Sequence, residues 1–514
     1  MKVSSKTIIA LLIFILLLGT GLRLYRLGTQ DLWLDEVLTI QFASIPWSKV
    51  YFAQLDSDAI THFLADYVIM HFWLKLGTTP VIIRLFSVLV GLGSIFVIFL
   101  IGKQHFNSQT GLLSAMLLSI SSYHIYYSQE ARIYAFQVFV ILWMVYFFTR
   151  AAEKNKQTSW LIFSGLSIFA IYLQAFSSFT WLVLNLFIIW QIINRKSAIK
   201  FTPWIISQLI VVVACVPYFL YLLLPATHAE RLGWIPYPTP QDILNTVNLY
   251  SLGMVFWVLP ETFNRFFVPL FVFLLFFSGF KLSKSSRLLK SEAMNTTAYD
   301  LSNQNKSNRI QKNNIFLSNK FSVLLIWGLF AIPFILFYVI SFKTPIFLAN
   351  RYLIISLPFF YLLIAYGITN FENRLIKLII VILLLTGMLI GLRAHYQEEL
   401  KIRWSKVALF LEQHAQKDDL IFIEPHYWGT PLGYYLKSPI PIISITKIDE
   451  LNTQILPVLK DHSRVWLIAI TDWVNKTPPE VTNILDNHYT HHQTQFSLNK
   501  PSQVDITLYY EPLK

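Results

Sequence analysis

Apolar runs long enough to cross a bilayer recur along this chain from residue 7 to residue 394. A bilayer's hydrocarbon core is about 30 Å thick, and a helix rising about 1.5 Å per residue needs roughly 20 apolar residues to span it. Eleven runs fit: 7–24, 81–102, 110–127, 132–149, 158–174, 177–193, 202–223, 265–281, 322–342, 350–370 and 375–394. Backbone in hydrocarbon must satisfy its own hydrogen bonds, so each run reads as a helix. Of the 514 residues 55% are hydrophobic and only 13% charged, where soluble chains carry about a quarter. That excludes a soluble enzyme and an ordinary nucleic-acid binder. An outer-membrane barrel is excluded too, because its strands alternate rather than run apolar. The expected fold is an all-α polytopic membrane protein with about 11 transmembrane helices and a small C-terminal α/β domain.

The basic residues orient it. Lys2 and Lys6 precede the first run, and no small-x-small cleavage site follows before Arg23, so the run reads as an uncleaved span. With the N-terminus inside, the inner loops hold 19 of the 41 Lys and Arg, the outer loops and outer span ends to residue 392 hold 10, and the segment from Arg393 holds 12. Lys and Arg favour the cytoplasmic side. The expectation is a multi-pass protein of the cytoplasmic membrane, N-terminus cytoplasmic and C-terminal domain extracytoplasmic. The stretch 245–260, with Asn245, Asn248 and Gly253, reads as a helix in the outer interface. Cys215, the one cysteine, rules out an intramolecular disulfide framework.

Two domains are expected, 1–395 and 396–514. Within the first, the outer loop 25–80 carries Asp31, Asp35, Glu36, Asp56, Asp58 and Asp66, and the inner loop 283–321 reads as a flexible linker rich in Asn, Ser and Lys. An amphipathic stretch in the outer loop, 63–77, reads as an interfacial helix because Asp66, His71 and Lys75 interrupt it. After 396 the texture changes. Trp404–Gln416 is amphipathic, and short β-rich runs at 420–423, 440–445 and 465–470 alternate with helical patterns at 429–436 and 447–460. That alternation predicts a mostly parallel sheet, with two antiparallel strands added over 486–510.

Charged side chains at membrane depth are expensive and invite a functional reading. Asp35 and Glu36 follow the first span by about ten residues. The pair reads as first-turn helix acids, which the helix dipole favours, or as a general base with a supporting neighbour. Glu130 and Arg132 lie where the third run turns into the fourth, with Tyr134 one turn on from Glu130. They read as a capping pair or as groups facing a polar cavity. Arg84, and Arg351 with Tyr352, sit at outer span ends, either snorkelling or shaped for phosphate. His62 and His71 lack partners at metal-ligand spacing, and His488, His491 and His492 read as strand or turn residues.

These residues, in this order, resemble a family. The features are the Asp-Glu pair after the first span, His62 and a helix through His71-Phe72-Trp73, Arg84-Leu85 opening the second span, YHIYYSQEARIYA at 123–135 and NRYLIISLP at 350–358. They resemble bacterial membrane glycosyltransferases of the GT-C fold. The branch is the family 39-like one, related to protein O-mannosyltransferases and to the transferases that put aminoarabinose on lipid A. The resemblance covers roughly residues 8–395 and is strongest over 30–150. It implies inverting transfer of a hexose or pentose from a polyprenyl-phosphate-linked donor to an acceptor hydroxyl on a protein, lipid or glycan, at the outer face of the membrane. It implies Asp35 as base and Glu36 as its support, with Arg84, Arg132 and Arg351 on the donor phosphate. His62, Asp66, Glu130, Tyr134 and Tyr352 then line the substrate cavity. If a divalent ion (Mg or Mn) is used, Asp35, Glu36 and Glu130 are its ligands. One departure stands out: the family commonly has His-Pro-Pro-Leu-Tyr where this chain has His62-Phe63-Leu64-Ala65-Asp66.

Physical chemistry leads the same way. Each lipid CH₂ buried in the bilayer is worth about 0.8 kcal/mol, so a long lipid carrier stays in the membrane and the site must come to it. The alternatives are an oligosaccharide ligase or polymerase with a diphosphate-linked donor, a lipid or sugar transporter, and a non-catalytic scaffold. A transporter should show paired repeats and midplane charges, and the sequence shows neither.

Overall fold

Eight helices among the described residues are long and apolar enough to cross a membrane: Ser5–Leu24, Pro80–His105, Ile133–Lys154, Phe201–Leu220, Glu261–Gly279, Lys320–Ile340, Tyr352–Thr369 and Arg374–Gln397. The computed structural model describes residues 4–46, 49, 64–154, 156–194, 201–222, 235–295, 319–445, 455–471, 477–498 and 502–512. Three of the eleven expected spans become shorter apolar helices, Ser108–Ile120, Gln157–Leu173 and Ser177–Ile193, so the expected eleven is corrected to eight. The run 110–127 is cut at Ser121. Its extended backbone ends one helix, and its side chain accepts the His124 N–H to begin the next, Ser122–Ser128. The other two have 17 residues each, a rise of roughly 25 Å at the lower limit of spanning length.

Residues 64–76 form a helix, Leu64–Trp73, and a 3-10 turn, Leu74–Leu76, too short to span. The stretch read as an interfacial helix becomes Pro240–Leu252 and a 3-10 turn at Phe256–Val258. The helix from Glu261 continues to Asn295, into the segment read as a linker. Residues 296–318 lie outside the described residues.

The chain forms two compact units, each discontinuous in sequence. One comprises 1–25, 47–69 and 84–397, the other 26–46, 70–83 and 398–514. In the first, Leu357–Thr369 is the central helix. Every residue from Leu357 to Ile368 is buried, against helices Ser108–Ile120, Glu261–Asn295 and Asn319–Ile340. Ser5–Leu24 is the opposite case. It leaves Ile9, Ile13, Phe14 and Leu17 exposed, an apolar surface suited to lipid. Glycine sets one close approach: a side chain at Gly102 would meet the Cα of Gly111 at 2.6 Å, so the helices carrying them touch through backbone.

The second unit is built on a five-stranded sheet. Its strands are β1 (Leu420–Glu424), β2 (Ile442–Ile443), β3 (Arg464–Thr471), β4 (Tyr489–Leu498) and β5 (Gln503–Pro512), in the order β2-β1-β3-β5-β4. β1 pairs with β2 and β3 in parallel, and β5 pairs with β3 and β4 antiparallel. The sheet is therefore a parallel β2-β1-β3 part extended by two antiparallel strands, the arrangement the sequence pattern predicts. The two long antiparallel ladders come from the C-terminal hairpin, which enters at the β3 edge. Alternation sends Ile421, Ile423, Trp466, Ile468, Val504 and Ile506 into one core and Leu420, Phe422, Val465, Leu467 and Tyr509 into the other. β1 is buried along its whole length, as a strand covered on both faces should be.

Candidate active site

The Asp35–Glu36 pair lies in the second unit. Leu34 begins a helix, Leu34–Ser44, whose first turn holds Asp35 and Glu36. Negative charge is favoured there by the exposed N–H groups of the helix start. Asp35 is half-buried and Glu36 fully buried. Buried carboxylates need compensation. Glu36 Oε2 receives the Lys401 ammonium at 2.7 Å, with 0% and 6% of the two side chains exposed, and it also accepts the Trp33 N–H at 3.4 Å. Two further bonds tie the loop to residues beyond 400. Asp31 Oδ2 accepts the Ser405 N–H at 2.6 Å, and the Leu32 N–H donates to the Tyr435 hydroxyl at 2.7 Å. The helix itself packs on helix Gly429–Tyr435, and His71 donates from Nδ1 to Ala43 O at 2.8 Å. Lys401 was not among the sequence candidates, since 365 residues separate it from Glu36 and nothing local marks it.

The remaining described candidates lie in the first unit. Helix Ser122–Ser128 and the turn after it carry Glu130 and Arg132, both buried, ahead of helix Ile133–Lys154. This segment is held by Arg23, a fully buried guanidinium in the last turn of the first span. Arg23 donates to Ser128 Oγ at 3.1 Å, to the carbonyls of Gly19, Ser119 and Leu118 at 3.1, 3.0 and 3.3 Å, and meets His124 Nδ1 at 2.8 Å. The carbonyls of Leu118 and Ser119 end a helix, where a cation is favoured. Gly91 makes room: a Cβ there would stand 2.4 Å from Ser128 Oγ. Gln129 then donates to the carbonyls of Arg23 and Tyr25 at 2.9 and 2.8 Å. Sequence reasoning passed over Arg23 because an Arg at the end of an apolar run looks like an ordinary flank.

The two quoted motif segments meet. The Tyr123 hydroxyl donates to Ala349 O at 3.0 Å and the Tyr127 hydroxyl to Asn350 O, so YHIYYSQEARIYA lies against NRYLIISLP. Tyr134 packs on Tyr127 with ring centroids 4.6 Å apart, and Tyr352 packs on Phe176 at 4.9 Å. Arg84 is buried in helix Pro80–His105, and Arg351 is half-buried ahead of the 3-10 turn Tyr352–Ser356. Asp66 is buried, and its Oδ2 has no hydrogen-bond partner among the described residues. Burial pushes the Asp66 carboxyl up to about 7, and the Arg132 charge opposes that rise. Asp66 and Arg132 are thus within electrostatic reach of each other. His62 lies outside the described residues. Among the described residues no three His, Cys, Asp or Glu side chains converge as a metal site.

Residues 63–221 match the dolichyl-phosphate-mannose-protein mannosyltransferase family. No curated protein matches the chain by sequence. Solved structures match its fold. ArnT from Cupriavidus metallidurans, in the apo state, is 12% identical with a TM-score of 0.57, covering 96% of this chain and 97% of that one. The same protein bound to undecaprenyl phosphate is 12% identical with a TM-score of 0.56, covering 98% of each. The Archaeoglobus fulgidus oligosaccharyltransferase AglB, with an inhibitory peptide and a dolichol-phosphate, is 10% identical with a TM-score of 0.51, covering 90% of this chain and 69% of that one. The shared fold is that of a multi-pass membrane protein with a small β-rich extracytoplasmic domain at its C-terminus. With the family match over 63–221, it makes this chain a polytopic membrane glycosyltransferase of the GT-C fold, related to those enzymes.

Proposed function

We propose that the chain transfers a sugar from a polyprenyl-linked donor to an acceptor hydroxyl at the outer face of the cytoplasmic membrane. The observation that carries this is the Asp35–Glu36 turn. One acid is half-buried and next to a fully buried neighbour fixed by an ammonium 2.7 Å away. A hydroxyl is a weak nucleophile, and a positioned carboxylate that takes its proton during attack supplies what it lacks. Asp35 is the base in this reading. Glu36 holds the turn that presents it. The leaving phosphate needs cations, and Arg84, Arg132 and Arg351 are the side chains proposed to supply them. Asp66, Glu130, Tyr134 and Tyr352 are proposed to line the substrate cavity, together with His62. A divalent ion at Asp35, Glu36 and Glu130 is a poor fit on one count: Glu36 Oε2 already faces the Lys401 ammonium.

Two finer forms follow. Oligosaccharide transfer, the alternative with a diphosphate-linked donor, draws support from the repeated likeness to the Archaeoglobus oligosaccharyltransferase for the oligosaccharide and not for the diphosphate. Inverting transfer of one sugar from a polyprenyl monophosphate is supported by the likeness to ArnT with undecaprenyl phosphate, which runs the length of both chains. Incubating the purified full-length protein with defined polyprenyl-phosphate and polyprenyl-diphosphate sugars separates them. The released lipid is a monophosphate in one case and a diphosphate in the other, and release of neither sinks the proposal.

A cytoplasmic N-terminus is part of the same proposal, supported by the Lys and Arg bias. An extracytoplasmic C-terminal domain then requires an odd number of crossings, which the eight long helices of the described residues do not supply by themselves.

A further inference from the structure

Arg84 stands in the second turn of helix Pro80–His105, and Arg351 precedes the 3-10 turn that leads into helix Leu357–Thr369. At the far ends of these two helices lies a second basic feature. Helix Pro80–His105 runs roughly 30 Å from Arg84 to its last residue, and the chain there turns into Ser108–Ile120. Helix Leu357–Thr369 ends beside it, and Arg374–Gln397 begins. These last three helices pack together and border an open cavity of about 370 Å³ lined by Gln109, Leu113, Ile368, Thr369, Arg374, Lys377 and Val381. It is separate from the proposed donor site and belongs to no step of the proposed transfer.

Arg374 and Lys377 stand three residues apart on one helix, so they share a face and repel each other unless an anion lies between them. Lys377 Nζ donates to the Thr369 carbonyl at 3.0 Å, which holds its ammonium against another lining residue of the cavity. Arg374 makes no hydrogen bond or ion pair among the described residues. The nearest acid in sequence, Glu372, is exposed on the turn before the helix. The helix amides are not the attraction: Asn373 Oδ1 already takes the N–H groups of Leu375 and Ile376 at 2.8 and 3.2 Å.

The surroundings select the source of the anion. Leu375, Ile376, Leu378, Ile379 and Ile382 of the same helix are exposed large apolar residues. Leu113 and Val381 also line the cavity, Val381 one helical turn on from Lys377. Cations beside an exposed apolar helix face are the arrangement that suits a phosphate esterified to acyl chains.

We propose that this cavity binds the headgroup phosphate of an anionic phospholipid, with Arg374 and Lys377 on the phosphate and the acyl chains along the exposed apolar face of helix Arg374–Gln397. The test uses full-length protein in detergent, with phosphatidylglycerol, phosphatidylcholine or inorganic phosphate added. The readouts are lipid retained in native mass spectrometry and the thermal midpoint. Phosphatidylglycerol should be retained at about one per chain and raise the midpoint, while phosphatidylcholine and inorganic phosphate do neither. Arg374→Gln, whose side chain holds no part of the fold, should cut retention about tenfold or more, and Arg374→Gln/Lys377→Gln should abolish it. Equal retention by wild type and Arg374→Gln overturns the proposal. Protection by inorganic phosphate equal to that by the lipid overturns the lipid as source.

Discussion

The carboxylate of Glu36 and the ammonium of Lys401 meet at 2.7 Å with both side chains shielded from water. One belongs to the acidic turn after the first span, the other to the segment that opens the sheet domain. A charge pair this buried is costly to form and more costly to break by halves, because the survivor is left uncompensated.

Lys401→Met should therefore destabilise by about 3–5 kcal/mol, and Glu36→Gln by less, since it leaves an ammonium that can reach water on a longer stem. Joint replacement, Glu36→Gln with Lys401→Met, should cost less than the sum. Thermal unfolding of the purified variants gives the cycle. Because Asp35 shares the first turn with Glu36, Lys401→Met should lower kcat with little change in donor KM, and Lys401→Arg should restore part of it. A Lys401→Met protein with wild-type midpoint and wild-type kcat would show that the pair holds nothing.

Asp66 gives a pH signature. Burial lifts its carboxyl from the ordinary 3.8 to about 7, against the pull of Arg132. The folded protein thus holds the proton more tightly than the unfolded chain. The resulting stability is fully present below about 4 and is lost as pH rises to about 7, after which the contribution is flat. The thermal midpoint should fall over that window and Asp66→Asn should flatten the fall. Arg132→Met removes the opposing charge and should extend the fall above pH 7. An identical profile for wild type and Asp66→Asn would remove Asp66 from this role.

The three arginines separate by kinetics. A charge-assisted hydrogen bond is worth about 1.5–3 kcal/mol, so replacing a phosphate ligand should raise donor KM roughly 10- to 100-fold. Arg351→Ala, at a half-buried position, tests this with least risk to folding. For the buried Arg84 and Arg132, the Lys variants keep the charge and lose the fork. Donor KM unchanged in all three would leave the phosphate to other groups.

Much of the fold was legible because long apolar runs are a physical requirement of the bilayer. The miss at 110–127 came from Ser121, whose cap competes locally with helix continuation and is invisible to hydropathy. The runs at 158–174 and 177–193 fold into helices of 17 residues each, at the lower limit of spanning length, where hydropathy alone does not decide a crossing. In the sheet domain, the β-rich runs gave β1 and β3. The hairpin of β4 and β5 was expected, but its pairing with β3 depends on tertiary contacts that no local pattern encodes. At the candidate site, adjacency and depth drew attention to Asp35, Glu36, Glu130 and Arg132. The groups that hold those turns, Lys401 and Arg23, were not legible, because each acts on residues about 100 or more positions away.

The most direct test of the central claim is single-turnover transfer by Asp35→Asn. The amide keeps the shape and hydrogen bonding of the carboxylate and removes its capacity to take a proton. With the active donor and acceptor in hand, the variant should fold with a wild-type midpoint, bind donor with wild-type affinity and transfer 10²- to 10⁴-fold more slowly. Transfer at the wild-type rate by Asp35→Asn would contradict the account and remove Asp35 as the base.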